Sequence, residues 1–206
     1  MMRNPYLKTD KTIAYLTKQY SKLFRRVTAF DELNVIPMSH EIYDEALRIT
    51  EQEATRLVKS VYDSYREEEE VLPSSDAHAA VIALMAAYNP VTKYVYENEL
   101  DRKRSRFAEG VISSDTPREE VELAKRLLIG MNKQFADDAT FEAVVKAFAD
   151  DGVKRVRWIT AEDDRRCKEC KARHHKIYSI DKIPPKPHLH CRCYVEKVDE
   201  RGGATK

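Results

Sequence analysis

The chain has 206 residues, 42% hydrophobic and 34% charged, which suits one domain or two small ones with a heavily charged surface. Five glycines argue for long helices and against glycine-rich sandwiches or phosphate-cradling loops. The net charge of +1 hides an asymmetry: from Lys154 onward there are 15 Lys and Arg against 8 Asp and Glu, about +7, while residues 1–153 hold 21 against 27, about −6. A basic tail on an acidic body suggests two surfaces with different partners, or cations gathered around thiolates.

The N-terminus "MMRNPYLKTDKTIAYL" has no continuous apolar run of the kind a secretory signal carries. No stretch approaches the roughly 20 apolar residues of a membrane span. "AHAAVIALMAAY" is too short for one and reads as a buried core helix. Synthesis in a cytosol is expected, where reducing conditions make clustered cysteines metal ligands before disulfides.

In chain order, Asp10 is a candidate cap for a first helix, along which Ile13, Leu16, Tyr20, Leu23 and Val27 recur at helical steps. Lys11, Lys18, Lys22, Arg25 and Arg26 decorate its other face, either as ordinary solvated charge or as an arm for DNA or an acidic partner. "FDELNVIPMS" breaks the pattern, and Pro37 and Ser39 restart it. A stripe from Ile42 to Tyr65 then predicts a helix from Glu41 to about Glu70, ending in the acidic run Glu67–Glu70, which is either solvated or a patch for a basic partner. Asp76 opens a third helix that Pro90 interrupts or kinks, because proline lacks an N–H and disfavours helix at the residue before it. "VTKYVYENELDRKRSRFAEG" is helical again, to near Gly110.

Thr116, Pro117 and Glu119 predict a capping box with proline in the first helical position. The helix they open runs past Met131 and breaks at "ADDAT". A shorter one, "FEAVVKAFAD", is stopped by Gly152. The period then changes. "VKRVRWIT" and "CYVEKV" alternate like strands, with Val153, Val156 and Trp158 on or near one side. The expected architecture is mainly α: an elongated helical body, 1–150, followed by a small zinc-stapled α+β C-terminal module, 151–206.

All four cysteines and four of the six histidines lie between Cys167 and Cys193. Cys167-x-x-Cys170 forms a tight knuckle whose sulfurs can reach one ion about 2.3 Å away. In extended chain, Cys191 and Cys193 face the same side and can reach the same ion. Four thiolates complete a tetrahedral structural zinc site. His188 and His190 are surplus donors: His188 either replaces Cys167 or Cys193 or hydrogen-bonds a sulfur from outside the coordination shell. His174 and His175 are expected in a solvent-facing loop. A tail of about fifty residues is too small to hold together by burial alone, so the ion stands in for a core, with Trp158 beside it. A site with no open coordination position is structural and not catalytic.

"WITAEDDRRCKEC" and "IPPKPHLHCRC" resemble the C-terminal module of phage head-morphogenesis (minor capsid) proteins, the Mu F-like family. The resemblance rests on Trp158 and Thr160, Asp163 or Asp164, Arg165 or Arg166, Cys167 and Cys170, then Pro187, His188, Cys191, Arg192 and Cys193, about forty residues in all. "YNPVTKYVYENELDRKRSR" resembles the helix that often precedes that module. The loop "KARHHKIYS" departs from the family in lacking glycine. The resemblance implies a structural Zn2+ held by Cys170, His188, Cys191 and Cys193, with Cys167 as an extra donor, and supporting places for His190, Trp158, Asp164 and Arg192. It further implies a minor, non-enzymatic protein of a tailed-phage or prophage head. Its partners would be the portal or other head proteins, its location the virion, and its task head assembly or DNA ejection. Contact with packaged DNA would be phosphate-directed and salt-dependent. The alternative from a different class is a zinc-knuckle nuclease of the His-metal-finger kind using His174 or His175.

Overall fold

The computed structural model describes residues 4–66, 90–160, 167–188 and 191–198, the side chains of 90–97 excepted. The third predicted helix, the Glu67–Glu70 run, Asp163, Asp164, Arg165, Arg166 and His190 lie outside the described residues.

The chain is mainly helical with a small antiparallel sheet at its C-terminal end. Helices α1 (Tyr6–Phe24), α2 (Glu32–Tyr65), α3 (Pro90–Ser113) and α4 (Pro117–Asp150) precede strand β1 (Arg155–Ile159). A short helix α5 (Lys168–Arg173), strand β2 (Ile177–Ser179), a 3-10 turn (Ile180–Lys182) and strand β3 (Tyr194–Lys197) follow. The sheet order is β2-β1-β3, both pairings antiparallel.

The helix starts differ from expectation in instructive ways. α1 begins one turn before Asp10, because the Asn4 side chain accepts the Tyr6 N–H at 3.0 Å and Pro5 already sits in helical backbone. α2 begins at Glu32, capped by Asp31, which accepts from the Asn34 N–H, and Pro37 lies inside it. The bond that Pro37 cannot donate would go to Leu33, a residue 88% exposed, so the loss falls near the helix end on the solvent side. α3 does open on Pro90, and it runs through Gly110 to Ser113. α4 starts at Pro117, but no capping box forms. The Thr116 hydroxyl lies beside Ser114, and the Thr116 carbonyl accepts from Glu119 N at 2.9 Å.

The expected break at "ADDAT" does not exist. α4 is one helix of 34 residues, about 50 Å long. Ala136, Asp137, Ala139 and Thr140 are buried there, and two groups of this stretch bond outside the helix: the Thr140 hydroxyl pairs with Thr9 of α1 at 2.6 Å, and Lys186 reaches the Asp137 backbone carbonyl at 2.8 Å. Gly152 does end α4, with φ of +73°. Val153 N bonds Phe148 O and Gly152 N bonds Ala149 O, the paired bonds of a Schellman cap.

Among the described residues, two apolar clusters fill the bundle. One joins Leu16, Tyr20, Phe24, Ile42, Tyr43, Phe107 and Leu128, with Phe24 edge-on to Phe107 at 5.6 Å. The other joins Val61 of α2 and Val144 and Phe148 of α4 to Val156, Trp158 and Val195 of the sheet and to Cys170, Cys191 and Cys193. The C-terminal module therefore has an apolar core, contrary to expectation, because α2 and α4 supply one wall of it. Val156 and Trp158 are wholly buried on one face of β1, and Arg155 is exposed on the other. Phe141 of α4 meets the Trp158 ring at 5.7 Å. Lys197, on the buried face of β3, pairs with Asp151 at 3.0 Å. No helix among the described residues is long and apolar enough to cross a membrane.

Candidate metal centre

The cysteines arrive from two turns. Cys167 caps α5, and its sulfur accepts the Cys170 N–H at 3.2 Å, so the backbone curls the knuckle and turns both sulfurs inward. Cys191 and Cys193 lie just before β3, both buried and flanking the exposed Arg192. α5 then closes through His174, whose N–H returns to the Cys170 carbonyl, and through His175, which takes the left-handed conformation at φ of 62°. That turn sends the chain into β2, and His175 N bonds Trp158 O at 2.8 Å.

The donors fall into two triads that share Cys170: Cys167–Cys170–His188 and Cys170–Cys191–Cys193, the atoms of each within 4.8 Å of one another. Around the Cys170 sulfur stand His188 Nε2 at 3.2 Å, the Cys193 sulfur at 3.5 Å and the Cys191 sulfur at 3.8 Å. A tetrahedral ion with metal–sulfur bonds of about 2.3 Å needs sulfurs about 3.8 Å apart, so the two edges that meet at Cys170 in the second triad are already near the required length. No cysteine is in a disulfide.

The electrostatics are those of crowded thiols. Burial pushes the Cys170 thiol up to about 12. A hydrogen bond from Cys193 draws Cys191 down to about 6, and Cys193, donating that bond and buried, is raised in turn. The backbone N–H of Cys170 holds the Cys167 thiol below its ordinary value. Charge thus settles on one sulfur of the buried triad while its neighbours keep their protons. A cation lets them ionise together. The buried indole N–H of Trp158 makes no hydrogen bond of ordinary geometry among the described residues, and the thiolate that it favours is that of Cys193. A metal-bound Cys193 thiolate gives this donor a permanent acceptor, so the residues fit a metal ion.

Of the other predicted site residues, Arg192 is exposed. Thr160 is buried, and its N–H donates to His174 Nδ1 at 3.2 Å, so His174 is half-buried and holds a turn, while His175 is exposed as expected. Three contributors were missed in the sequence. Arg173 stacks its guanidinium over Trp158 at 5.3 Å and donates to the Pro185 carbonyl, fastening α5 to the loop before His188. Tyr6 donates its hydroxyl to the Cys193 carbonyl at 2.8 Å, and Lys186 joins that loop to α4. The lysine's place in "PPKP", in a loop that prolines stiffen, is the one hint the sequence held. No family model, curated protein or solved structure matches this chain, and the chemistry open to the site is that of its own donors.

Proposed function

We propose that this chain is a minor structural protein of a tailed-phage or prophage head, associated with the portal vertex and aiding head assembly or DNA delivery, with one structural zinc in its C-terminal module. The observation that carries this reading is the convergence of the residues behind the resemblance. Cys170, Cys191 and Cys193 are buried in one cluster with Trp158, and Cys170 also groups with Cys167 and with His188, which is exposed. Soft thiolates with one imidazole among the donors favour zinc. Four protein donors leave no position for substrate, which supports a structural ion and a docking protein over an enzyme. The helices that wall the sheet give such a protein a rigid body to present to a ring of head subunits.

Two measurements test the reading. Native mass spectrometry is expected to find one zinc per chain, lost to chelator. Proteomics of purified particles from a producing host is expected to find the chain in few copies and to co-purify it with the portal ring. Absence from particles overturns the head assignment. Plasmid nicking that His174→Ala or His175→Ala abolishes, with the fold retained, replaces it with the nuclease reading.

A further inference from the structure

The polar groups that hold the ligand-bearing turns come from distant parts of the chain. Tyr6 lies in the first turn of α1 and is 5% exposed, yet its hydroxyl donates to the backbone carbonyl of Cys193 across 187 positions of sequence. Lys186 precedes His188 by two residues, and its side chain is 7% exposed. Its ammonium donates to the Asp137 carbonyl at 2.8 Å and stands 3.5 Å from the Asp138 carboxylate. The same ammonium lies 5.3 Å from the centre of the Tyr6 ring and 5.3 Å from that of Phe141. A buried ammonium is tolerated where it is paired, hydrogen-bonded and laid against aromatic faces, and this one has all three. One lysine thus fastens the His188 loop to α4 and covers the ring of the tyrosine that fastens the Cys193 turn to α1. One turn further along α1, Thr9 bonds Thr140 of α4 at 2.6 Å.

We propose that Tyr6 and Lys186 form a latch coupling metal binding at the cysteine–histidine cluster to the docking of helix α1, a step that rests on the cluster holding zinc. Both are positioning residues. The Cys193 turn has two anchors, the ion and the Tyr6 hydroxyl, and the His188 loop has two, the ion and Lys186. Losing one anchor frees the turn to move and so weakens the other. By linkage the effect is reciprocal: whatever α1 docking adds to metal affinity, the metal adds to α1 docking. Occupancy at the C-terminal module is thereby felt at the opposite end of the chain, where α1 carries Lys11, Lys18 and Lys22 exposed on its outer face.

The test uses the full chain. Zinc affinity is measured by competition with a chromophoric chelator for wild type, Tyr6→Phe and Lys186→Met, and amide hydrogen exchange is followed over residues 6–20 with zinc bound and after chelation. The expected result is about a tenfold loss of affinity in each variant, within the usual range of coupling between sites, and faster exchange at the start of α1 when wild type loses zinc. In Tyr6→Phe that segment is expected to exchange fast with or without the ion. Tyr6→Phe removes one oxygen and keeps the ring, so it carries the test alone if Lys186→Met does not fold. Wild-type affinity in Tyr6→Phe, or α1 exchange indifferent to chelation, overturns the latch while leaving the metal centre standing. A tyrosine that serves stability alone would give that result, with equal destabilisation of the metal-bound and metal-free forms. A wild-type chain that binds no zinc overturns the latch and the metal reading together.

Discussion

Cys170 belongs to both donor triads, and Cys170→Ser is therefore the most damaging single change to the centre. It exchanges a soft thiolate for a hydroxyl that stays protonated, at a point 3.2 Å from the His188 nitrogen and 3.5 Å from the Cys193 sulfur. Each triad falls to two donors. At free zinc a thousandfold above its dissociation constant, a bound ion stabilises the folded state by about 4 kcal/mol, a large share of the roughly 5–15 kcal/mol by which a domain is stable. Trp158 is the single tryptophan of the sequence and lies buried between the sheet and α4, so its fluorescence reports unfolding of this region directly. Urea titrations of wild type with zinc and with chelator should then differ by about 4 kcal/mol. Those of Cys170→Ser should coincide, both at the lower value. Cys167→Ser and His188→Ala each spare the Cys170–Cys191–Cys193 triad, and the one that loses less zinc affinity names the donor outside the coordination shell. Full zinc-dependent stabilisation in Cys170→Ser would refute the shared-ligand geometry.

Three further outcomes follow from the same geometry. Cys170, at about 12, and Cys193, also raised, hold protons at neutral pH and must release about two on binding the ion; zinc affinity should fall about a hundredfold from pH 8 to pH 7, and a flat profile in competition titrations would contradict this. Burial raises Glu142 from 4.5 to about 8, so its folded-state preference for the neutral form is fully present below pH 4.5 and is lost as pH rises through 8; Glu142→Gln should be the more stable protein at pH 8, by on the order of 4 kcal/mol, with little difference at pH 4.5, as measured by urea titration at each pH. The buried Thr9–Thr140 pair should lose about 1–3 kcal/mol in Thr140→Val, which strands one hydroxyl, and much less in the double valine variant, a contrast that a double-mutant cycle in chemical denaturation reads directly.

The periodic features of this chain were legible because they are local. Leu16, Tyr20 and Leu23 recur at helical steps and are buried. Val156 and Trp158 alternate with arginines and are buried. The Cys-x-x-Cys knuckle needs only its own backbone N–H, and it forms as its spacing predicts. Termini were less legible, since caps compete. At Asn4 and Asp10, and again at Asp31 and Ser39, more than one polar side chain can serve, and a difference of about 1 kcal/mol between them is too small to settle from residue type.

The misread stretch "ADDAT" shows what local reasoning cannot reach. Two aspartates and a threonine in a helix interior compete for backbone hydrogen bonds, so propensity alone argues for a break. The helix persists because the far ends of the chain converge on this stretch: Thr9 from α1 meets Thr140, and Lys186 from the ligand loop meets Asp137 and Asp138. The small Ala136, Ala139 and Ala143 sit in the same apolar cluster as Cys170, Cys191 and Cys193, where bulkier side chains would hold the sheet away from α4. Polar partners and small side chains on one face of one helix thus make the seat into which the cysteine module docks. The two cysteine pairs could be read from their spacing because a few residues of backbone fix it within each pair. The seat could not, because its meaning depends on contacts more than 40 positions away in sequence. Replacing its polar residues with good helix formers would strengthen α4 as a helix and weaken it as a seat.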